Sequence, residues 1–125
     1  MADRMYPPAT REIARTRRDL APRTQAAFDS FSREVFAEGA LSAKLKQIVA
    51  VAVAHATQCL YCIKGHTKAA LRSGATREEL MEAIWVATEI RAGGAYAHSA
   101  LAIDVFEEAE ARKTEQPKDE PGSRV

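Results

Sequence analysis

The chain has 125 residues, enough for one domain and too few for two. Its 18 Lys plus Arg stand against 17 Asp plus Glu, a formal charge of +1, so there is no global field to hold nucleic acid or an anionic membrane surface. The first twenty residues lack the apolar stretch of a secretory signal, and the longest apolar run, Ile48 to Ala54, is seven residues where a span needs about 20. A soluble, cytoplasmic protein is expected, with no nucleic-acid and no membrane partner.

Alanine supplies 25 residues, Asn is absent, and no proline occurs from Arg23 through Gln116. The strongest helix former is abundant and the breakers sit at the ends, which predicts an all-α fold, a bundle of about five to six helices. Residues 1–19 form an N-terminal arm, with Pro7-Pro8 and Arg11, Arg15, Arg17 and Arg18 but few apolar anchors, and one or two helical turns are expected there. Residues 20–113 form the helical domain. Its first helix starts at Pro22, carries Ala27, Phe28, Phe31, Val35 and Phe36 at threes and fours, and stops by Gly39. Ser42 caps the next helix, whose IVAVAVA run is apolar on every face and therefore predicts burial all round. Thr57-Gln58 marks a break or bend, with Thr57 as the candidate cap of a helix that ends before Gly74.

Thr76-Arg77-Glu78-Glu79 has the spacing of a capping box and opens a helix through Leu80, Ile84 and Trp85. Gly93-Gly94 then either breaks the chain or permits close helix contact before a stripe of Leu101, Val105 and Phe106. Residues 114–125 are polar with two prolines and are expected to be a disordered tail. So little apolar area per helix makes a single copy marginal, and oligomerisation is the expected remedy.

The reactive groups concentrate in the middle of the chain: His55, Cys59, Cys62 and His66, at spacings of 4, 3 and 4. On a continuous helix all four share one side, and each cysteine has an imidazole one turn away, His55 for Cys59 and His66 for Cys62. Thiol chemistry needs the thiolate, which a neighbouring His or a helix N-terminus favours. At i and i+3 the two Cα atoms are roughly 5 to 6 Å apart, within the span of a disulfide. Zinc is the rival reading of two Cys and two His. However, His55 and His66 are eleven residues apart, about 16 Å along a straight helix and too far for one tetrahedral ion, so that only a break near Thr57 could rescue a partial site. Two buried cysteines with two core histidines and no chemistry is the bland alternative. No metal and no bound cofactor are expected.

The stretch from Lys44 to Ala102 resembles the carboxymuconolactone decarboxylase family, in particular its alkylhydroperoxidase D-like branch. C-x-x-C-x3-H, the K-A-A-L after it and the G-A-T-x-E-E-L turn occur together and in order. The resemblance implies an all-α fold, assembly into trimers or hexamers, and thiol-dependent peroxidase or disulfide-reductase activity. It places the peroxide-reactive cysteine at Cys62, the resolving cysteine at Cys59 and the motif histidine at His66. The family's relay glutamate, twelve residues before the first motif cysteine, falls on Gln47, and an amide cannot accept and pass a proton as a carboxylate does. His55, or Glu82 or Glu89 from the later helix, are the candidates for a replacement base, although both glutamates also read as solvated charges. Tyr61, between the cysteines, reads as a hydrogen-bond donor or a packing residue. Trp85 reads as core or interface, and His98 as a packed or exposed histidine.

The expected activity is reduction of a peroxide, or of a peroxiredoxin disulfide, through a Cys59/Cys62 dithiol–disulfide cycle fed by a dithiol reductant. The alternatives are a lactone decarboxylase-like lyase, whose activity survives loss of both cysteines, and a non-catalytic redox sensor, whose disulfide changes its oligomeric state without peroxide turnover.

Overall fold

The computed structural model describes residues 5–116. Five helices follow one another: α1 (Arg11–Leu20), α2 (Pro22–Phe36), α3 (Ala43–Thr57), α4 (Leu60–Arg72) and α5 (Arg77–Glu115). No strand occurs among the described residues. By its internal contacts the chain divides into a unit ending at Thr88 and a second beginning at Glu89. The arm carries more helix than expected, ten residues from Arg11, because the Thr10 hydroxyl caps it by accepting from the Ile13 N–H at 3.2 Å.

Local signals set most helix ends in the first unit. Pro22 opens α2, and the Ser42 hydroxyl accepts from the Leu45 N–H at 3.1 Å to open α3. Gly74, at φ 92°, closes α4 in the left-handed conformation that glycine adopts without a Cβ penalty. The closure is a Schellman pair, with the Ala75 N–H on the Ala70 carbonyl at 3.0 Å and the Gly74 N–H on the Leu71 carbonyl at 3.1 Å. Beyond it the capping box is formed in both directions: the Thr76 N–H donates to Glu79 Oε1 at 2.9 Å, and the Glu79 N–H donates to Thr76 Oγ1 at 3.0 Å.

Lys44 Nζ meets the same Glu79 Oε1 at 3.1 Å, tying the start of α3 to the start of α5. The Thr76 backbone N–H first, and then Lys44, hold the Glu79 carboxyl below its ordinary value of 4.5. A lowered carboxylate pKa gives stability that is present above the unfolded-state value and lost as pH falls through the folded one. Glu79→Gln is therefore expected to shift the urea midpoint downward at pH 7, and the gap to wild type should close on acidification below the ordinary carboxylate range. A gap that stays constant down to pH 2 would show that the ionised carboxylate contributes nothing.

The buried core is small: Val51 of α3, Ala70 of α4, Ala75 of the turn and Leu80 of α5, with Ile48 and Ile84 packed against them. Here the expectation for α3 fails. Val51 is fully buried, yet Val49 is 45% and Val53 54% exposed. An α3 that is apolar all round needs neighbours all round, and the chain packs α4 closely against one side while α2 touches it only slightly.

The second unit is the remainder of α5, from Glu89. Of the two alternatives at Gly93-Gly94 a break does not occur, since the helix runs through both glycines to Glu115. It thereby enters the stretch whose composition predicts a tail, and residues 117–125, the rest of that expected tail, lie outside the described residues. Ile90, Tyr96, Leu101, Val105 and Phe106 are exposed along it.

Candidate functional site

The site begins at the end of α3. Gln58 takes the left-handed conformation (φ 56°, ψ 42°), the one non-glycine residue to do so among those described. This closes α3 with a second Schellman pair, the Gln58 N–H on the His55 carbonyl at 3.3 Å and the Cys59 N–H on the Ala54 carbonyl at 3.0 Å. The tight turn leaves Cys59 as the N-cap of α4, its Sγ accepting from the Cys62 N–H at 3.3 Å. Thr57, expected to cap α4, instead turns its hydroxyl back on the Val53 carbonyl at 3.0 Å. Cys59 and Cys62, with Cα atoms 5.2 Å apart, are paired as a disulfide, as their spacing allows.

The break at Gln58 also divides the expected four-residue stripe between two helices. His55 stays on the last turn of α3, its Nδ1 2.7 Å from the Val51 carbonyl of its own helix. His66 lies on α4, one turn beyond Cys62. Its Nδ1 is 2.8 Å from Gln47 Oε1 across the α3–α4 pair, and its ring stacks on Phe36 of α2, centroids 5.0 Å apart at 26°. An amide oxygen only accepts, so the ring nitrogen facing it carries the proton. In the neutral ring with that tautomer, Nε2 is the nitrogen that carries the lone pair. Gln47 thus meets His66 as an acceptor that orients the ring.

Cys62 and His66 wall two cavities. One, of about 440 Å³, is largely apolar, bordered also by Phe36, Val49, Val53 and Lys46. The other, of about 570 Å³, is bordered also by Arg33, Gln47 and Tyr61. Cys59 and His55 border neither. Both cysteines are half-buried, and Cys62 is the one that borders these two cavities.

Tyr61 both donates and packs. Its hydroxyl gives a hydrogen bond to the Pro7 carbonyl at 2.8 Å, and its ring meets Tyr6 edge-on at 6.4 Å, so the arm is fastened to α4 between the cysteines. Glu82 is exposed and borders neither cavity. Glu89 and His98 belong to the second unit, where Glu89 is exposed and the His98 Nδ1 lies 2.7 Å from the Gly94 carbonyl on its own helix. Trp85 is 62% exposed in the single chain. Sequence reasoning missed Phe36 and Lys46 at the site, since nothing local marks a residue on α2 or the start of α3 as a neighbour of His66. Among the described residues no three His, Cys, Asp or Glu side chains converge on a point that could hold a metal, and no helix is long and apolar enough to cross a membrane.

Residues 22–104 match the model of the carboxymuconolactone decarboxylase family. An uncharacterized protein of the cox locus of Paracoccus denitrificans is 53% identical over 108 residues, 86% of this chain and 96% of that protein. An uncharacterized protein of Cupriavidus necator is 33% identical over 86 residues, 69% of this chain and 76% of its own length. Among solved structures, a protein from Methanobacterium thermoautotrophicum superposes with a TM-score of 0.64 at 34% identity, covering 67% of this chain and 94% of that one. A carboxymuconolactone decarboxylase family protein from Legionella pneumophila gives 0.61 at 34% identity, covering 78% of this chain and 86% of its own.

Proposed function

The chain belongs to the carboxymuconolactone decarboxylase family, and from that premise we propose that it is a thiol-dependent peroxidase of the alkylhydroperoxidase D-like kind, working through Cys59 and Cys62. The observation that carries this reading is the coupling of a cysteine pair in the first turn of α4 with a histidine one turn on, whose basic nitrogen is left free by Gln47.

In the proposed cycle His66 Nε2 takes the Cys62 proton, and the thiolate attacks one oxygen of the peroxide. The O–O bond breaks, Cys62 becomes a sulfenic acid, and the leaving oxygen takes the proton from His66 to depart as an alcohol or water. Cys59 then attacks the Cys62 sulfur, water leaves and the disulfide forms. The N-cap geometry aids this step, because a sulfur that accepts a backbone N–H at a helix N-terminus is stabilised as thiolate. An external dithiol, or a dithiol protein partner, returns both cysteines to the reduced state by exchange. Gln47 cannot move a proton itself and acts as a positioning residue. His55, bonded to its own helix, has no part in the first oxidation. We place the protein in the cytoplasm as a trimer or hexamer, and the exposed Leu101, Val105 and Phe106, which one copy leaves uncovered, support the assembly.

The test is a thiol count by mass spectrometry. One equivalent of peroxide added to the reduced protein should remove both free thiols with a net loss of two hydrogens and no retained oxygen, and a dithiol should restore them. Peroxide that is left unconsumed while both thiols stay free would overturn the reading in favour of the decarboxylase-like lyase or the redox sensor.

A further inference from the structure

The apolar cavity beside Cys62 holds one charge. Its α3 wall is a single helix face, Lys46, Val49, Ala50, Val53 and Thr57, at the spacing of successive turns. Among its polar groups, the Thr57 hydroxyl donates to backbone carbonyls and His66 Nδ1 is committed to Gln47. Lys46 is half-buried, forms no ion pair among the described residues, and spends its ammonium on one acceptor, the Ala37 carbonyl. An ammonium has three donors, so two are left without a partner among the described residues. Lys46 thus sets one cation with donors to spare on an otherwise apolar wall, where a carboxylate can accept from it.

The Gln47–His66 bond also sets the level of α4 against α3. The short turn at Gln58 makes the two helices antiparallel, so Lys46 lies at the level of His66, and Cys62 lies one turn, about 5.4 Å, further along the cavity toward Thr57.

We propose that this cavity binds an amphipathic carboxylate, its anionic end on Lys46 and its hydrocarbon body laid along Val49 and Val53 past Cys62. At about 440 Å³ the cavity falls within the size range of small-molecule sites. The proposal deepens the thiol reading and rests on it for the reacting group: the preferred peroxide is one whose hydroperoxy function is borne on a chain that ends in a carboxylate.

Binding is tested with the oxidised protein, which turns nothing over, so the result stands apart from the thiol count. Decanoate is titrated against wild type by calorimetry and by NMR of the Val49 and Val53 methyls, with decan-1-ol as the uncharged control. Saturable decanoate binding is expected, at least tenfold tighter than decanol. Lys46→Gln should remove that advantage while leaving decanol unchanged, and Lys46→Arg should keep it. Val53→Asp, at an exposed position, should weaken decanoate more than decanol even if Lys46→Gln does not fold. In the reduced protein, decanoate should slow alkylation of Cys62. Equal affinity for acid and alcohol, or decanoate binding that survives both Lys46→Gln and Val53→Asp, would overturn the proposal. Absence of saturable binding would overturn it too, including where a second copy of the chain covers Val49 and Val53.

Discussion

Cys62→Ser should reduce peroxide consumption to the uncatalysed rate, whereas Cys59→Ser should allow a single oxidation and then stall with a sulfenic acid on Cys62. The asymmetry follows from position. Cys62 borders both cavities, and in the proposed cycle it is the residue that meets the peroxide. Cys59 is held at the helix N-cap, where its sulfur accepts from the Cys62 N–H and is poised to close the disulfide. A sulfenic-acid trap such as dimedone should label the Cys59→Ser protein and leave the Cys62→Ser protein unlabelled. His66→Ala, which removes the base but neither thiol, should slow the first oxidation by about 10²-fold at neutral pH. At high pH, where the thiol ionises unaided, it should matter little. If labelling appears instead on the Cys62→Ser protein, the two roles are exchanged, as the N-cap geometry alone would favour.

Leu80→Ala should cost about 2–5 kcal/mol of folding stability, a large share of what a domain of this size possesses. Leu80 is 6% exposed and fills the same cluster as Val51, Ala70 and Ala75. Two of those four are alanines, so truncation removes the largest side chain of the cluster with little left to collapse into the space. Leu71, nearby in sequence but exposed, is the control, and Leu71→Ala should cost far less. The measurement is the denaturant midpoint at constant slope, repeated at two protein concentrations. A midpoint that rises with concentration is expected if subunits cover the exposed Leu101, Val105 and Phe106 of α5, because association stabilises by mass action. Equal losses for Leu80→Ala and Leu71→Ala would show that the small core does not carry the fold.

Local chemistry alone was enough for most of the helix plan. Pro22, Ser42, Gly74 and the Thr76/Glu79 box each act within four residues of themselves, so their effect is written in adjacent sequence and the structure repeats it. The same holds for the Cys59–Cys62 pair, whose separation follows from helical spacing. The break at Gln58 was legible only as a place, because a left-handed glutamine has no side-chain signature of the kind that glycine supplies. As a result the cap passed from Thr57 to Cys59 and the stripe from His55 to His66 was split between two helices.

What tertiary structure alone decided is which residues meet across helices. Gln47 and His66 are 19 positions apart and Phe36 and His66 are 30 apart, and no periodicity within one helix encodes either meeting. Packing α4 against α3 fixed the level at which they face each other, and thereby put Lys46 on the wall of the cavity that Cys62 also borders. The exposure of Val49 and Val53 was decided in the same way. Hydrophobicity marks a face for burial, but whether one chain has the helices to cover that face depends on how those helices pack.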